Sequence, residues 1–475
     1  MPFPLNKTKI VATIGPASDS PEMLRAMILS GMNVVRLNFS HGDFSGHAGA
    51  IGRVRAAAAA VGRRVAVMAD LPGPKMRIGS FVEEPIRLAA GDRFTLTTDA
   101  VPGSPERVSV SFPQLPASVR PGDRLYLNDG YIVAEVVAIN GADVVCRIQV
   151  GGELRSRKGL NLPGIDLAVS AFTEHDRRCL EFALRHGVDA VSQSFVDRPE
   201  DILAVRSAAS ELGYHPMIIA KIERSGALQR LEAIMDAADG IMVARGDLGV
   251  EIPIEEMAVT QKRLMRLANL KCKPVITATQ MLESMIAHRL PTRAEATDVA
   301  NAILDGTDAV MLSGESAMGS HPVESVAMLA KIAAATEPHR PVFGGAWIGA
   351  TMAADESVHA EELIAACVEA TLRRITPATV VVPTHSGSTA RSIARFKPGV
   401  WISAVSSQEK TCQNLLFSYG VYPVFEAEHP DHWKEWCRRW RDRQQLAGRY
   451  MLLTEGPSRR HPDRNNRMEI IDLKQ

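Results

Sequence analysis

Side chains that could bind phosphate and metal follow two short apolar runs of the sequence. Lys221 and Glu223 end one run, and Arg245 and Asp247 follow the next. Because residues two apart on a strand point the same way, we expect each pair to share one face. Glu223 and Asp247 could hold a hard divalent cation through oxygen, while Lys221 could neutralise phosphoryl oxygens. This combination favours phosphoryl transfer.

Other polar residues end further apolar runs in the same way. They are Arg36, Asn38, Ser40, Asp70, Thr277 and Thr279. Arg36, and Arg77 close behind Asp70, would add two further phosphate-binding cations to Lys221. Any one such pair could be a structural ion pair, because buried charge needs a partner. Their repetition at several run ends favours a single catalytic site.

The elements that must position these residues alternate between strand and helix. The expected strands are Ile10–Ile14, Val34–Asn38, Val65–Ala69, Ala190–Phe195, Met217–Ile222, Gly240–Ala244, Pro274–Ala278 and Ala309–Leu312. Helical patterns follow most of them, which predicts an α/β fold with parallel strands. Eight such strands predict a (β/α)8 TIM barrel, whose active site is built at the carboxyl ends of the strands.

Two regions depart from the barrel pattern and predict further domains. Residues 74–168 contain short alternating strands with turn signals, which predict a small all-β lid domain inserted at the barrel mouth. Residues 341–475 predict a C-terminal α/β domain of regulatory type. The barrel would then comprise residues 1–73 and 169–340.

Composition and charge narrow the possible partners and location. The 475 residues include 54 basic and 54 acidic side chains, so the formal net charge is zero. This balance gives no electrostatic reason to expect nucleic acid or a membrane surface as partner. The six cysteines are scattered, and no apolar run could cross a bilayer. We therefore expect a cytoplasmic protein.

Several longer motifs resemble those of the pyruvate kinase family. They are KIVATIGP from Lys9, RLNFSHG from Arg36, KGLNLPG from Lys158, AKIER from Ala220, MVARGDLG from Met242, ATQMLESM from Ala278, PTRAEA from Pro291, DVANA from Asp298 and MLSGES from Met311. The resemblance runs from about residue 7 to residue 340, with the motifs in the family's order. It implies transfer of a phosphoryl group from phosphoenolpyruvate to ADP, which gives pyruvate and ATP in glycolysis.

The resemblance also implies roles for the matching residues. Lys221 would stabilise the phosphoryl group in flight, and Glu223 and Asp247 would bind Mg²⁺ or Mn²⁺. Thr279 would serve a water-mediated proton relay near the carbon that becomes the methyl group of pyruvate. The residues expected to contact phosphate, nucleotide or substrate are Arg36, His41, Arg77, Lys158, Ala244, Arg245 and Gly246.

One departure from the family pattern concerns potassium. Many members need K⁺, held by groups matching Asn38, Ser40, Asp70 and the carbonyl of Leu71, and carry a glutamate after Gly-Pro in this loop. This chain has Lys75 in place of that glutamate. Members with this lysine are typically potassium-independent, because an ammonium group can stand in for the ion. We expect no K⁺ requirement; the alternative is a solvated Lys75.

For the C-terminal domain, the resemblance implies an effector site but does not identify the effector. The loop residues expected to bind a phosphorylated sugar or nucleotide effector are Thr384, Ser386, Gly387, Ser388 and Thr389. The family's usual ending is replaced by Glu455–Ile471, so the effector's identity stays open. Family members are usually homotetramers, and we expect the same assembly here.

Two other functions compete with this interpretation. Another metal-dependent barrel that handles an enolate, such as an aldolase, would share the carboxylate site but would not need the lid or the RLNFSHG motif. A catalytically silent regulatory homologue would have lost at least one of Lys221, Glu223, Asp247 and Thr279. All four are present.

Overall fold

The first barrel segment alternates strictly between strand and helix. The computed structural model describes residues 3–165, 169–341, 359–428, 430–456 and 465–474. The segment consists of β1 (Lys9–Thr13), α1 (Pro21–Ser30), β2 (Val34–Asn38), α2 (Phe44–Ala60) and β3 (Ala66–Leu71). Helix α2 begins at Phe44, because Asp43 caps it by accepting a hydrogen bond from the Gly46 amide.

The inserted lid is built almost entirely from short strands. Its elements are β4 (Ile86–Leu88), β5 (Arg93–Thr97), β6 (Arg107–Ser109), α3 (Leu115–Ser118), β7 (Arg124–Leu127), β8 (Ile132–Asn140), β9 (Asp143–Val150), β10 (Gly152–Leu154) and β11 (Leu160–Asn161). Six of these strands form one sheet in the order β11-β7-β8-β9-β5-β6. The lid has its own apolar core, which includes Phe94, Leu125 and Ile148.

The second barrel segment completes the eight-stranded ring. Its elements are α4 (Glu174–Arg185), β12 (Ala190–Gln193), α5 (Pro199–Glu211), β13 (Met217–Ile222), α6 (Ser225–Gln229), α7 (Leu231–Ala237), β14 (Gly240–Ala244), α8 (Arg245–Glu251), α9 (Met257–Leu270), β15 (Val275–Ala278), α10 (Arg293–Leu304), β16 (Ala309–Leu312), α11 (Gly314–Ala317) and α12 (Pro322–Thr336). Short 3-10 helices at Ile254–Glu256, Glu283–Ile286 and Glu337–His339 complete the segment.

The eight barrel strands close in the order β1-β16-β15-β14-β13-β12-β3-β2, all parallel. Strands such as β13 are buried along their whole length, which explains their nearly continuous apolar sequence. The predicted (β/α)8 barrel is confirmed, with strand ends within two residues of expectation. At the amino-terminal end of the barrel, Leu416 and Phe417 from the C-terminal domain pack into the inner core.

The C-terminal region is a second α/β unit with its own core. Its elements are α13 (Ala360–Leu372), β17 (Val380–Pro383), α14 (Ser388–Ala394), β18 (Ile402–Ser406), α15 (Glu409–Asn414), the 3-10 helix Leu415–Phe417, β19 (Val421–Phe425), α16 (Trp433–Gln444), β20 (Tyr450–Glu455) and β21 (Arg467–Asp472). The sheet order is β19-β18-β17-β20-β21, and only β21 runs antiparallel to its neighbour.

Separate apolar cores support the three-domain division, which stays a prediction. The expected boundary at residue 168 and residues 342–358 of the expected C-terminal domain lie outside the described residues. All six cysteines are described and none forms a disulfide. Within the described ranges, no helix is long and apolar enough to cross a membrane.

A glycine controls the path of the chain from β3 toward the lid. Gly73 has a φ of +64°, and a Cβ there would lie 2.9 Å from the Ser194 carbonyl oxygen. Its amide donates to the Asp176 carboxylate at 2.9 Å, and Asp176 also completes a capping box with Thr173 at the start of α4. Residue 73 therefore needs both a left-handed backbone and the absence of a side chain.

We predict that Gly73→Ala lowers the free energy of unfolding by about 2–4 kcal/mol, from backbone strain and the clash with Ser194. Gly62→Ala is the matched control, because Gly62 has a φ of +62° but no atom within 4 Å of the position that a Cβ would take. The control should lose only about 1 kcal/mol. Urea unfolding measures both, and equal losses would show that the clash contributes nothing.

Candidate active site

The sequence-predicted residues converge on one cavity of about 110 Å³ at the carboxyl ends of the barrel strands. Those that line it are Arg36, Asn38, Ser40, His41, Asp70, Lys75, Arg77, Lys221, Glu223, Ala244, Asp247 and Thr279. Five predicted residues do not line it, namely Leu71, Lys158, Arg245, Gly246 and Thr277. The cavity lies between barrel strands and the start of the lid.

Asp70 is the centre of the buried charge network. It lies inside β3, rather than just beyond it as expected, and only 1% of its surface is exposed. Arg36 donates to one carboxylate oxygen through Nε at 2.8 Å and Nη2 at 2.5 Å, while Ser192 donates to the other at 2.6 Å. Burial alone would raise the pKa of Asp70, but the charges of Lys221 and Arg36 hold it below its usual value.

Lys221 is buried at the end of β13 between two carboxylates. Its Nζ lies 3.3 Å from Asp70 and 3.0 Å from Glu223, and it donates to the Ser194 hydroxyl at 2.6 Å. Burial would lower the pKa of Lys221, but Asp70 and Glu223 outweigh it and raise the pKa above its usual value. The amine therefore stays protonated and faces the cavity as a fixed positive charge.

Glu223 and Asp247 present two carboxylates to the same cavity. Glu223 is buried, and the Phe195 amide donates to it at 2.7 Å. Burial raises the pKa of Glu223, and the nearby charge of Asp247 raises it further, against the effect of Lys221. A divalent cation would relieve this repulsion, so the donor set fits such an ion. In the described part of the chain, no group of three or more His, Cys, Asp or Glu side chains is arranged to hold a metal ion.

Positive charges surround the rest of the cavity. Lys75 lies 3.8 Å from Asp247, and Arg77 is tied to the lid through its hydrogen bond to the Arg157 carbonyl at 2.9 Å. Burial, followed by the charges of Arg77, Lys75 and Arg36, lowers the pKa of His41. A phosphate group entering here would therefore meet an electropositive wall.

Thr279 lies just beyond β15, and two hydrogen bonds hold its hydroxyl. The hydroxyl accepts from the Gly246 amide at 2.7 Å and donates to the Ala278 carbonyl at 2.7 Å. Thr279 lines the cavity, so the remaining lone pair of its oxygen is available to a water. This places an oriented hydroxyl beside the charged groups.

The expectation that Arg245 and Asp247 share a strand face is wrong. Strand β14 ends at Ala244, and residues 245–251 form α8. Asp247 reaches the cavity from the first turn of this helix, whereas Arg245 turns away and pairs with Asp298. The alternation of apolar and polar residues alone cannot distinguish a helix that begins directly at a strand end from a strand that continues.

The other predicted residues outside the cavity have structural contacts instead. Thr277 is buried within β15, where its hydroxyl donates to the Thr307 hydroxyl at 2.8 Å. Leu71 is buried in the barrel core, and only its carbonyl was expected to bind an ion. Lys158 is a half-buried lid residue whose carbonyl accepts from Ile78. Gly246 does not line the cavity, but its amide orients Thr279.

Sequence reasoning missed several groups that support the charged residues. Ser192 and Ser194 bind Asp70 and Lys221, and Thr13 accepts from Arg36 at 2.9 Å. Ser192 and Ser194 are two residues apart at the end of β12, so the alternation rule could have found them. Further lining residues are Pro72, Phe195, Met242, Met311 and Ser313.

The predicted effector loop borders a second cavity of about 390 Å³ in the C-terminal domain. Thr384, Ser386, Ser388 and Thr389 line it, and Gly387 does not. Gly387 has a φ of +85°, and its amide donates to the Thr384 hydroxyl at 2.9 Å. The lining also includes acidic side chains, Glu361 and Glu426 among them.

Comparisons with known proteins agree with the geometry. A family model for the barrel domain of pyruvate kinase matches residues 5–326, and one for its alpha/beta domain matches residues 362–471. A pyruvate kinase from Thermococcus litoralis is 49% identical over 427 residues, 89% of each chain. One from Geobacillus stearothermophilus is 43% identical over 429 residues, 89% of this chain and 72% of its own.

A solved structure is similar over nearly the whole length. The crystal structure of a pyruvate kinase from Cryptosporidium parvum superposes with a TM-score of 0.90 and 34% sequence identity. The alignment covers 99% of this chain and 96% of that chain. The likeness therefore includes the lid and the C-terminal domain as well as the barrel.

We predict that Asp70→Asn lowers the free energy of unfolding by about 3–5 kcal/mol, because Arg36 and Lys221 would stay buried with too little negative charge. Asp19→Asn is the control, since the Asp19–Arg53 pair is more than one-third exposed on both sides. That change should cost less than about 1 kcal/mol. Chemical denaturation at pH 7 measures both; a loss below about 1 kcal/mol for Asp70→Asn would contradict the buried-network interpretation.

Proposed function

The chain belongs to the pyruvate kinase family, and we propose that the cavity at its barrel mouth transfers the phosphoryl group of phosphoenolpyruvate to ADP. The observation that carries this proposal is the convergence of buried Lys221 with Glu223 and Asp247 on one small cavity. The surrounding cations suit a substrate that carries phosphate and carboxylate charge. No global charge assists, since the net charge is zero.

Glu223 and Asp247 would hold the divalent ion, which the family generally takes as Mg²⁺. When bound, such an ion neutralises phosphoryl charge and polarises the substrate oxygen. Two carboxylates suffice because Mg²⁺ usually keeps waters and takes substrate oxygens as its other ligands. The Phe195 amide keeps one Glu223 oxygen oriented at 2.7 Å.

Lys221 and Arg36 would stabilise the charge that develops during transfer. The bond between phosphorus and the enol oxygen breaks, and a bond from phosphorus to the terminal oxygen of ADP forms. Protonated Lys221, held by Asp70 and Ser194, donates to the oxygens of the moving group. Arg36 is fixed by Asp70 and reaches the same cavity.

Thr279 would take part in the second step, protonation of the enolate. Its hydroxyl is held by the Gly246 amide and the Ala278 carbonyl, so it can orient a water beside the substrate. That water would deliver the proton to carbon three and recover one from solvent. Pyruvate is then released with ATP.

Lys75 would replace the monovalent cation of potassium-dependent members. It lines the cavity with Asn38, Ser40 and Asp70, the residues matching the expected ion ligands. Its Nζ lies 3.8 Å from Asp247, so its charge bears on the metal site directly. We infer that turnover needs no K⁺.

The C-terminal cavity would bind a phosphorylated effector with one phosphate group. Hydroxyls of Thr384, Ser386 and Ser388 in its lining supply donors. Glu361 and Glu426, which also line the cavity, would repel a second phosphate but could accept hydrogen bonds from sugar hydroxyls. The regulatory site, a homotetrameric assembly and a cytoplasmic location are all proposals.

We predict that Lys221→Met lowers kcat by about 10³-fold or more, because the fixed positive charge at the moving phosphoryl group is lost. The variant should still bind Mn²⁺, which is measured from the electron paramagnetic resonance signal of the free ion. Lys262→Met is the control, because Lys262 is exposed on α9 and pairs with Asp305. Turnover of Lys221→Met within tenfold of wild type would remove Lys221 from the mechanism.

We predict that wild-type turnover changes less than twofold when K⁺ replaces tetramethylammonium at constant ionic strength. Lys75→Glu should instead need K⁺, because it removes the fixed ammonium and adds negative charge near Asp247. A coupled assay of pyruvate formation measures both proteins. Strong K⁺ activation of the wild type would contradict the proposed role of Lys75 and leave the family assignment intact.

A further inference from the structure

Two consecutive residues beside the cavity adopt an unusual backbone. Thr279 has a φ of +69° and Gln280 a φ of +54°, both in the left-handed region. This conformation is unfavourable for most residues, and especially for a β-branched one such as threonine. Such strain persists only where the surrounding structure holds it in place. The groups that hold Thr279 therefore bear on its function.

The guanidinium group of Arg245 supplies several of these contacts. It donates to the Thr279 carbonyl through Nη2 at 2.8 Å and to the Ala278 carbonyl through Nε at 3.3 Å. Nη1 donates to Asp298 at 2.7 Å, which fixes the guanidinium from the other side. The Arg245 side chain is only 11% exposed. Its planar fork can satisfy all three partners together.

The turn that begins α8 thus holds Thr279 at two places. Arg245 binds the backbone carbonyl of Thr279, and the next residue, Gly246, binds its hydroxyl at 2.7 Å. Arg245 does not line the cavity. Its side chain binds the Thr279 carbonyl directly, so an effect on the reaction would pass through the position of Thr279.

We propose that Arg245, held by Asp298, is a positioning residue that fixes Thr279 for protonation of the enolate. In that step a proton adds to carbon three, the electron pair of the carbon–carbon double bond forms the new C–H bond, and the enolate oxygen becomes the carbonyl of pyruvate. The inference rests on the proposed function, because it assigns a role within that reaction. Phosphoryl transfer itself depends on Lys221, Glu223 and Asp247.

The test separates the two steps in Arg245→Lys and Asp298→Asn. Protonation is measured alone as exchange of the pyruvate methyl hydrogens with D₂O, by proton NMR with Mg²⁺ and ATP present. Transfer is measured as initial ATP formation from phosphoenolpyruvate and ADP. Arg55→Lys is the matched control, because Arg55 also binds two carbonyls and one carboxylate, those of Val65, Gly187 and Asp189.

We expect the ratio of methyl exchange to ATP formation to fall at least tenfold in Arg245→Lys and severalfold in Asp298→Asn. It should change less than twofold in Arg55→Lys. Unchanged ratios in both site variants would overturn the inference, even if stability and turnover fell together. The proposed function would still stand in that case if the wild-type protein exchanges the methyl hydrogens of pyruvate and forms ATP. A wild type that forms no ATP would overturn both.

Discussion

The burial of opposite charges at the barrel mouth is the interaction on which the site depends. Asp70 is almost fully buried, and it is held by Arg36 from β2, Ser192 from β12 and Lys221 from β13. Apolar side chains of similar volume would often be at least as stable there, because desolvating ions is costly. The charges are therefore better explained by chemistry than by stability.

That network exists only because the barrel closes with a particular register. Asp70 is directly opposite Asn38 on one neighbouring strand and Ser192 on the other. Beyond the strands, the backbone is left-handed at Gly73, Phe195 and Thr279. Gly73 directs the chain toward the lid, the Phe195 amide donates to Glu223, and Thr279 lines the cavity. Some of the backbone strain of the molecule, at Phe195 and Thr279, therefore lies beside the reacting groups, where buried hydrogen bonds sustain it.

The sequence predicted the barrel well because buried parallel strands are nearly continuous apolar runs, which period and length reveal. It also predicted that Lys221, Glu223 and Asp247 belong to one site, and all three line the cavity. It placed Arg245 wrongly, because alternation cannot show that a helix starts at residue 245. The bond from Ser192 to Asp70 was not predicted, since cross-strand partners depend on a register that the sequence does not display.

We propose that the buried charges of this site serve phosphoryl transfer to ADP. The most direct test follows phosphoenolpyruvate, ADP and Mg²⁺ with the purified protein by ³¹P NMR. We expect the phosphoenolpyruvate signal to disappear as the γ-phosphate signal of ATP grows in equal amount. An unchanged phosphoenolpyruvate signal, or release of inorganic phosphate without ATP, would contradict it.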